Sequence, residues 1–490
     1  MTKRYGRLRN YITRDLVKVS LLVCADVFSA LIATWISRDL TCKFLGFPYQ
    51  PVMNSQFLVL TVLITVSNLY FFDLYYTSKD FRRFHQFISL IAASLSSFLM
   101  LVTLMFLSKS VLASRRFIVI YICLTFLFIL VSRTLFLIAN KLYFRKNAIV
   151  VGDTAIGRML LRLINTQENY KSGSDIRVIG YISENKSEDE DSYRNVPYLG
   201  PIDKADKALN LRKLQLAIYA LRQSGGAILN ELLIREKLKG MDLVSAAGLY
   251  EYMSGRIPYE HIGSDSLIED CLRGQKFTQA RIKFIFDIFL GSILLVLSIP
   301  IIAICAIGIK LDSNGPVLFM QKRVGRFGKH FTIYKLRTMI ETKIPGKAEG
   351  AGWVDLYEKN NGKISKFGKF LRKFHLDELP QLLNVIKGDM SIVGPRPEME
   401  LYVTKCEKHI PLYRLRFAVR PGITGWAQVA YIHTTTLSGY RRKLEYDLYY
   451  LKNMSIKMDL EIIIRTFFLL LGFTGNKRTE SIKNITGISR

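Results

Sequence analysis

The chain has 490 residues, half of them hydrophobic, with a formal net charge of +29 and a mean hydropathy of +0.18. This length predicts two or three domains. Nucleic acid and the anionic inner face of a membrane both attract such a charge; long apolar runs, with no recognised nucleic-acid-binding motif beside them, exclude the first and select the second.

Four apolar stretches fill the first 140 residues, at about 18–37, 56–72, 85–108 and 117–139. Each approaches the roughly 20 residues that span a bilayer. Lysine and arginine crowd residues 1–18, the second connection (Lys79, Arg82, Arg83) and the segment after the fourth stretch (Lys141, Arg145, Lys146). Fewer fall in the first connection (Arg38, Lys43), and the third holds Lys109, Arg115 and Arg116. This bias predicts both ends of the bundle in the cytoplasm. Asp26 lies inside the first stretch. It is either a helix–helix contact or functional, and the lack of a partner nearby in sequence favours the contact. No small-residue cleavage site follows the first run, so no cleaved signal peptide is expected.

Residues 147–265 predict a small α/β domain with a parallel sheet. Its strands are NAIVVG, 176–182, 214–221 and 241–247, with helical patterns between them. The first turn, Gly152 to Gly157, lacks the GxGxxG triplet, and no acidic residue ends a second strand at the usual distance. The expectation is Rossmann-like architecture without tight binding of NAD or NADP. The acidic run 184–191 reads as a solvated loop. Cys24, Cys42, Cys123, Cys271, Cys305 and Cys406 show no CxxC and no metal-ligand spacing, which predicts buried thiols in a reduced compartment.

Residues 284–309 are apolar and long enough to span, yet Pro300 sits in mid-segment and Arg281, Lys283 and Lys310 flank both ends. Proline breaks or kinks a helix interior. The pattern predicts a re-entrant helix–break–helix hairpin entered from the cytoplasmic side, with its freed backbone groups satisfied internally. The rest of the chain is basic and rich in loops. Its centre is LRKFHLDELPQLLNVIKGDMSIVGPRP, residues 371–397. Asp377 and Glu378 stand ahead of Pro380, which predicts a helix opening there and running to about Lys387, closed by Gly388. Two carboxylates before a helix N-terminus suit magnesium and phosphate chemistry. Adjacent residues share no face of a helix or strand, so the two cannot flank one glycosidic bond, but they can divide roles. Lys335, Arg337, Arg372, Arg396 and Arg420 are candidates for holding phosphates. Arg396 stands out because flanking prolines restrict it. Lys363, Lys366, Lys369 and Arg372 recur every third residue, and the lysines read as a stripe against anionic lipid head groups. His375 and His433 receive no role. The segment 455–473 mixes Asp459, Glu461 and Arg465 with a wide apolar face and is expected to lie on or partly in the interface.

From about Arg281 to Gly472 the chain resembles the bacterial sugar transferases, the monotopic polyprenyl-phosphate phosphoglycosyl transferases. The resemblance rests on the proline-bearing apolar segment, YKLRTM, LDELPQLLNVIKGDMSIVGPRP, RPGITGWAQV and YDLYYLKNMSIKMDL, in that order. The N-terminal half resembles the four-helix plus Rossmann-like extension of the long-form members. Two positions depart from the family pattern: Met454 stands where Trp is common, and Ile299 intervenes between Ser298 and Pro300. The resemblance implies a membrane α-helical bundle (1–146), an α/β Rossmann-like domain (147–265) and a mixed, mainly helical catalytic domain (275–480) anchored by the re-entrant hairpin.

The implied reaction moves a sugar-1-phosphate from a UDP-sugar to polyprenyl phosphate at the bacterial inner membrane. It starts a surface polysaccharide repeat unit, whether exopolysaccharide, capsule or O-antigen, in a multi-pass protein whose catalytic domain faces the cytoplasm. Asp377 is then the nucleophile and Glu378 its acid–base or metal-assisting neighbour. Mg²⁺ is the expected cofactor, with Asp377 and Glu378 as ligands and Asp447 and Asp459 either helping or pairing with arginines. A homodimer through the central domain is compatible with this reading. Two alternatives stand beside it: a non-catalytic membrane scaffold regulating polysaccharide assembly, and a nucleotide-sugar epimerase or dehydratase. The intact Asp-Glu pair speaks against the first. The missing glycine triplet and the absence of a YxxxK pair beside a cofactor loop speak against the second.

Overall fold

The computed structural model describes residues 2–43, 55–72, 74–75, 83–107, 115–143, 146–169, 176–184, 196–201, 214–220, 227–238, 240–262, 267–269, 271, 277–339, 364–431 and 436–470. Lys363, His433 and most of the acidic run 184–191 lie outside them. The chain forms two units, Met1–Ser245 and Ala246–Arg490.

The first unit opens with four helices, α1 (Thr2–Lys43), α2 (Ser55–Phe71), α3 (Arg83–Leu107) and α4 (Arg115–Tyr143). Helix α1 packs on α4 and α2, and α3 packs on α2 and α4. Ala33, Ile64, Leu101, Phe117, Ile118 and Tyr121 form one buried layer, and Leu22, Leu69, Leu90, Ala93 and Ile129 form another. Val17–Thr41 and Phe117–Phe136 are long and apolar enough to cross a membrane, and Val59–Phe71 and Ser89–Leu104 are shorter apolar helices. Lipid tails are as apolar as leucine, so polar contacts supply specificity between such helices. Thr65 Oγ1 lies 2.8 Å from Tyr121 Oη, and Ser96 Oγ donates to Asn68 Oδ1 at 2.9 Å. Asp26 does have a partner, 107 residues away in sequence: Arg133 Nη2 of α4 donates to its Oδ2 at 2.6 Å. Both side chains are buried, and the Arg133 guanidinium lies over the Tyr75 ring.

The same unit continues into a parallel sheet of β1 (Lys146–Val151), β2 (Ile176–Ile182), β3 (Leu216–Tyr219) and β4 (Asp242–Ser245), in the order β2-β1-β3-β4. In chain order α5 (Ala155–Asn169) lies between β1 and β2, and α6 (Ala227–Leu238) between β3 and β4. Ile149, Val151, Ile182, Ala217, Leu233 and Met241 fill the core. All four strands fall where their apolar runs place them. Helix α7 (Ala246–Ser254) begins the second unit. Ile257, Tyr259, Leu267 and Cys271 are buried in that unit's core beside Leu444, Leu448 and Leu451.

The second unit carries α8 (Phe277–Asp312), a 36-residue helix with Pro300 inside it. The expected interruption at Pro300 is absent: helical backbone runs through it. Proline costs the helix one backbone bond and strains the preceding turn, and a kink can absorb both without ending the helix. Ser298 Oγ, in that turn, donates to Leu295 O at 2.8 Å. The helix is long and apolar enough to cross a membrane, and Val296, Leu297, Ile299 and Ile301 are exposed. Both its ends nevertheless pack on the same unit. Near the start, Lys283 pairs with Asp459 at 2.7 Å and Asp287 Oδ2 accepts from Ser391 Oγ at 2.7 Å. Near the end, Cys305 and Ile309 pack with Leu336 and Leu371, and Asp312 Oδ2 accepts from Phe367 N at 3.2 Å.

Two antiparallel strands, β5 (Leu318–Val324) and β6 (His330–Leu336), lead to α9 (Lys366–Lys373), whose N-cap Ser365 accepts from Gly368 N. Lys366, Lys369, Phe370 and Phe374 are exposed on or beside α9. A 3₁₀ helix (Leu376–Gln381) runs directly into α10 (Leu382–Lys387), which Gly388 closes with a left-handed backbone (φ 82°) that costs glycine little. Then come β7 (Ser391–Val393), α11 (Glu400–Glu407), β8 (Gly422–Thr424), α12 (Trp426–Ala430), α13 (Leu437–Lys452) and α14 (Ile456–Leu470).

The Asp26–Arg133 pair generates a stability prediction. Asp26→Ala strands a buried arginine among apolar helices, and breaking such a pair costs about 3–5 kcal/mol. Full-length protein in detergent should melt well below wild type, and the reversed pair Asp26→Arg/Arg133→Asp should regain part of the loss. Equal melting of Asp26→Ala and wild type would remove the pair from any structural role.

Candidate active site

Asp377 and Glu378 sit in the first turn of the 3₁₀ helix, which places them ahead of the α-helix, and both are buried. Pro380 lies inside this turn, so the α-helix starts two residues later than the proline suggests. His375 caps the turn with φ 54°, in the left-handed region that a non-glycine residue seldom occupies. Such strain persists only where surrounding structure holds it. Here Glu378 N donates to His375 O, and Leu371 below and Leu382 above are buried.

Two cations meet on one oxygen of Glu378. Lys335 Nζ reaches Oε1 at 2.9 Å and Arg396 Nη2 reaches it at 2.8 Å. Burial alone would raise the Glu378 pKa, but Arg396 and Lys335 outweigh it and hold the carboxyl far below the usual carboxylate range. No described cation stands in ion-pair contact with Asp377. Burial and the adjacent Glu378 charge raise its pKa above the ordinary 3.8, while Lys335, Arg372 and His375 pull the other way. Environment therefore divides the two neighbours: one carboxylate is fixed and permanently charged, the other is unpaired and harder to ionise.

Each of these side chains is delivered by a specific local contact. Strand β6 brings Lys335, and buried Asn384 of α10 locks it: Asn384 Oδ1 accepts from Tyr334 N at 3.1 Å and Nδ2 donates to Thr332 O at 2.7 Å. Arg396 comes from the loop after β7. That strand pairs in parallel with β8, with Ser391 opposite Gly422 and Val393 opposite Thr424, so the GPRP and RPGITG motifs lie side by side. Gly394 N donates to Thr424 O and Gly422 N to Pro395 O. A Cβ on Gly394 would stand 2.4 Å from Arg420 O, so only glycine allows this approach.

The other candidates divide. Arg372 is exposed, and its Nε donates to Thr338 Oγ1 at 2.9 Å, within electrostatic reach of Asp377. Arg337 is turned away from phosphate duty: it is buried and donates to the carbonyls of Ser313 and Asn314, both at 2.7 Å, tying down the chain after α8. Arg420 donates to Gly388 O at 3.0 Å and stacks over Phe284 at 4.3 Å, bracing the end of α10 against α8. Asp447 and Asp459 do not join the carboxylate pair. Asp447 pairs with Arg416 at 2.8 Å, and Asp459 takes Lys283 at 2.7 Å and a bond from Tyr450 Oη at 2.8 Å. Both are almost wholly buried, and each is neutralised by its own cation.

Among the described residues no three His, Cys, Asp or Glu side chains converge as a metal site. The residues present therefore do not form an all-protein cage. They do fit magnesium in its commoner mode, bound by one or two carboxylates and completed by water and substrate phosphates. Asp377 and Glu378 are the two adjacent carboxylates that would hold it.

Sequence reasoning missed Arg416, Glu398 and Lys443, which form a buried charged group with Asp447, and Lys283 and Asp287, which anchor α8. A signal existed for some: Lys283/Asp287 and Lys443/Asp447 are each spaced four apart, on one helical face. Nothing in the sequence marks the backbone strain at His375.

Comparison with known proteins adds the family. Residues 278–472 match the model for the bacterial sugar transferase, and residues 70–239 match that for a CoA-binding domain. The UDP-N-acetylgalactosamine-undecaprenyl-phosphate N-acetylgalactosaminephosphotransferase of Aeromonas hydrophila is 38% identical over 227 residues, 46% of this chain and 51% of that protein. The UDP-glucose:undecaprenyl-phosphate glucose-1-phosphate transferase of Xanthomonas campestris pv. campestris is 40% identical over 192 residues, 39% of each. The chain thus spans about half or less of the length of these two. It covers 92% of the exopolysaccharide production protein PSS of Rhizobium leguminosarum bv. phaseoli, at 41% identity over 190 residues and 38% of this chain. The chain belongs to the bacterial sugar transferase family.

Proposed function

We propose that this protein transfers a sugar-1-phosphate from a UDP-sugar to undecaprenyl phosphate through a covalent phosphosugar on Asp377, beginning a surface polysaccharide unit. The observation that carries the reading is the division of the Asp-Glu pair, with Glu378 held by Lys335 and Arg396 and Asp377 left unpaired beside it. The names of the relatives support the substrates: two are undecaprenyl-phosphate transferases using UDP-N-acetylgalactosamine and UDP-glucose.

In the first step an Asp377 oxygen attacks the phosphorus that bears the sugar. A new P–O bond forms, the bond from that phosphorus to the bridging oxygen breaks, and UMP leaves with the electron pair. In the second step an oxygen of undecaprenyl phosphate attacks the same phosphorus and the Asp377 carboxylate is released. No net proton transfer is needed in either step. This matches Glu378, whose two cations keep it ionised and unsuited to giving up a proton at neutral pH. Its task is to orient Lys335 and Arg396 toward the incoming diphosphate, where both cations stabilise developing charge. Magnesium bound by Asp377 or Glu378 would supply further neutralisation of the diphosphate. Arg372 is near enough to assist electrostatically.

We place the transferase unit on the cytoplasmic side, with α8 entering and leaving the bilayer from that side. Support comes from the basic flanks of α8 and from the binding of both its ends to one unit. The exposed lysines and phenylalanines of α9 suit an anionic lipid surface. In an otherwise cysteine-free chain, Thr278→Cys and Ser313→Cys should both be shielded from an impermeant thiol reagent in intact cells. Labelling of residue 313 from outside would make α8 a true span.

The chemistry is tested by mixing protein, Mg²⁺ and sugar-labelled UDP-sugars without lipid acceptor. Label should appear on a peptide containing residue 377, together with stoichiometric UMP. Asp377→Asn should abolish both, while Glu378→Gln should slow transfer by about 10²-fold or more. Sequential kinetics with no adduct would replace the covalent route with direct attack by the lipid phosphate.

Protonation gives an independent check. The attacking Asp377 must be ionised and its pKa is raised, so kcat/KM is full above that raised value and falls as pH drops through it. The acid limb should therefore lie above 3.8, the ordinary aspartate value. A limb at or below that value would contradict the buried, unpaired carboxylate.

A further inference from the structure

The loop that carries Arg396 is gripped from beneath by a group of four buried charges, and the reaction scheme above gives them no part. Arg416 is 1% exposed, among the largest fully buried side chains of the described chain. Its Nη2 donates to the main-chain carbonyl of Arg396 at 3.1 Å and lies 2.8 Å from Asp447 Oδ2. Its Nη1 donates to Tyr413 Oη at 2.8 Å and stands 3.8 Å from Glu398 Oε1. Lys443 pairs with the same Glu398 oxygen. Arg416 and Lys443 balance Glu398 and Asp447, so the group is neutral. Residues 443 and 447 lie one turn apart on α13 and present one positive and one negative charge to the loop.

The contacts fall on both sides of Pro397. Arg416 holds the carbonyl of residue 396, and Lys443 with Arg416 holds the side chain of residue 398, whose carbonyl also accepts from Val324 N at 3.1 Å. Proline has fixed φ and no N–H of its own. A tripeptide clamped at 396 and 398 about a proline has little freedom left, and the Arg396 side chain departs from it toward Glu378. Burying four charges is costly where apolar residues would pack as well. A network kept in spite of that cost can confer specificity of geometry rather than stability.

We propose that Arg416 and Asp447 are positioning residues for the transfer reaction, acting through the main chain of residue 396 to aim Arg396 at Glu378. The inference rests on the reading of the Asp377–Glu378 site as catalytic. Neither residue touches substrate in this account; both set where the Arg396 guanidinium stands.

The test uses the full-length protein in lipid nanodiscs, with wild type, Asp447→Asn, Arg416→Lys, Arg396→Lys and the double variant Asp447→Asn/Arg396→Lys. Arg416→Lys keeps the group neutral and so guards against simple unfolding. Two readouts are taken. The first is hydrogen exchange of residues 394–399, which should quicken in Asp447→Asn and Arg416→Lys while exchange in α13 stays at wild-type rates. The second is transfer kinetics on UDP-glucose and UDP-N-acetylgalactosamine. Partners that orient a site residue are worth about 10–100-fold, so kcat should fall by that factor with KM for the nucleotide sugar little changed. Because Asp447 acts through Arg396, adding Asp447→Asn to Arg396→Lys should cost nothing further. Additive losses in the double variant or unchanged exchange at 394–399 would each overturn the proposal. If wild type transfers neither sugar phosphate nor releases UMP, the catalytic reading fails by itself, and the exchange measurement alone decides whether the four charges hold the loop.

Discussion

Glu378 is a carboxylate that would be costly to bury alone, and two cations from opposite sides make its burial tolerable. Lys335 arrives on a strand and Arg396 on a loop about sixty residues further along the chain. A buried carboxylate with one partner removed would leave several kcal/mol of desolvation unmet. The turn holding Asp377 and Glu378, the strand β6 and the GPRP loop therefore meet at a single oxygen atom. Asp377 receives its unpaired state as a by-product, because Lys335 and Arg396 are already spoken for.

The surrounding architecture keeps that three-way meeting in register. Asn384 fastens β6 to α10 through main-chain atoms, so Lys335 cannot slide relative to the helix that follows Glu378. The parallel β7–β8 pair sets the height of the GPRP loop. Helix α8 is tied to the same strand, since Asp287 accepts from Ser391 and from the main chain of Ile392. A helix with an exposed apolar middle is thus coupled directly to the strand that precedes Arg396. Under the proposed reaction, this coupling would tie the apolar helix to the loop whose cation faces the acceptor and the nucleotide sugar.

Much of this was legible in the sequence because it is local. The proline after the acidic pair, the glycine that ends α10 and the alternation of apolar strands with helices each constrain a few neighbouring residues. The long motifs in fixed order made the family readable as well. Partnerships across the chain were not legible. Asp447 and Asp459 are acidic residues in a C-terminal pattern and invite a metal-binding reading, yet their cations, Arg416 and Lys283, lie 31 and 176 residues away. Arg337 and Arg420 read as phosphate clamps by type, but the carbonyls they hold are set by tertiary packing alone. Pro300 had a clear local meaning, and helical backbone passed through it all the same. The Asp26–Arg133 pair is the same lesson in the apolar helices, since only the fold brings those residues together.

The segment just after β4 bears on where this protein can be divided. The transferase match begins at residue 278, but the core it needs begins earlier. Trp426 Nε1 donates to Gly255 O at 2.6 Å, Arg256 pairs with Glu445 at 3.0 Å, and Lys452 pairs with Glu251 at 3.0 Å. A fragment cut at the edge of the motif would bare the indole of the WAQV motif and leave Glu445 buried without its arginine. A modular boundary drawn from sequence similarity is thus not a folding boundary: described residues between Glu251 and Cys271 act as a structural prosthesis for the second unit, and any domain exchange between relatives has to carry them along.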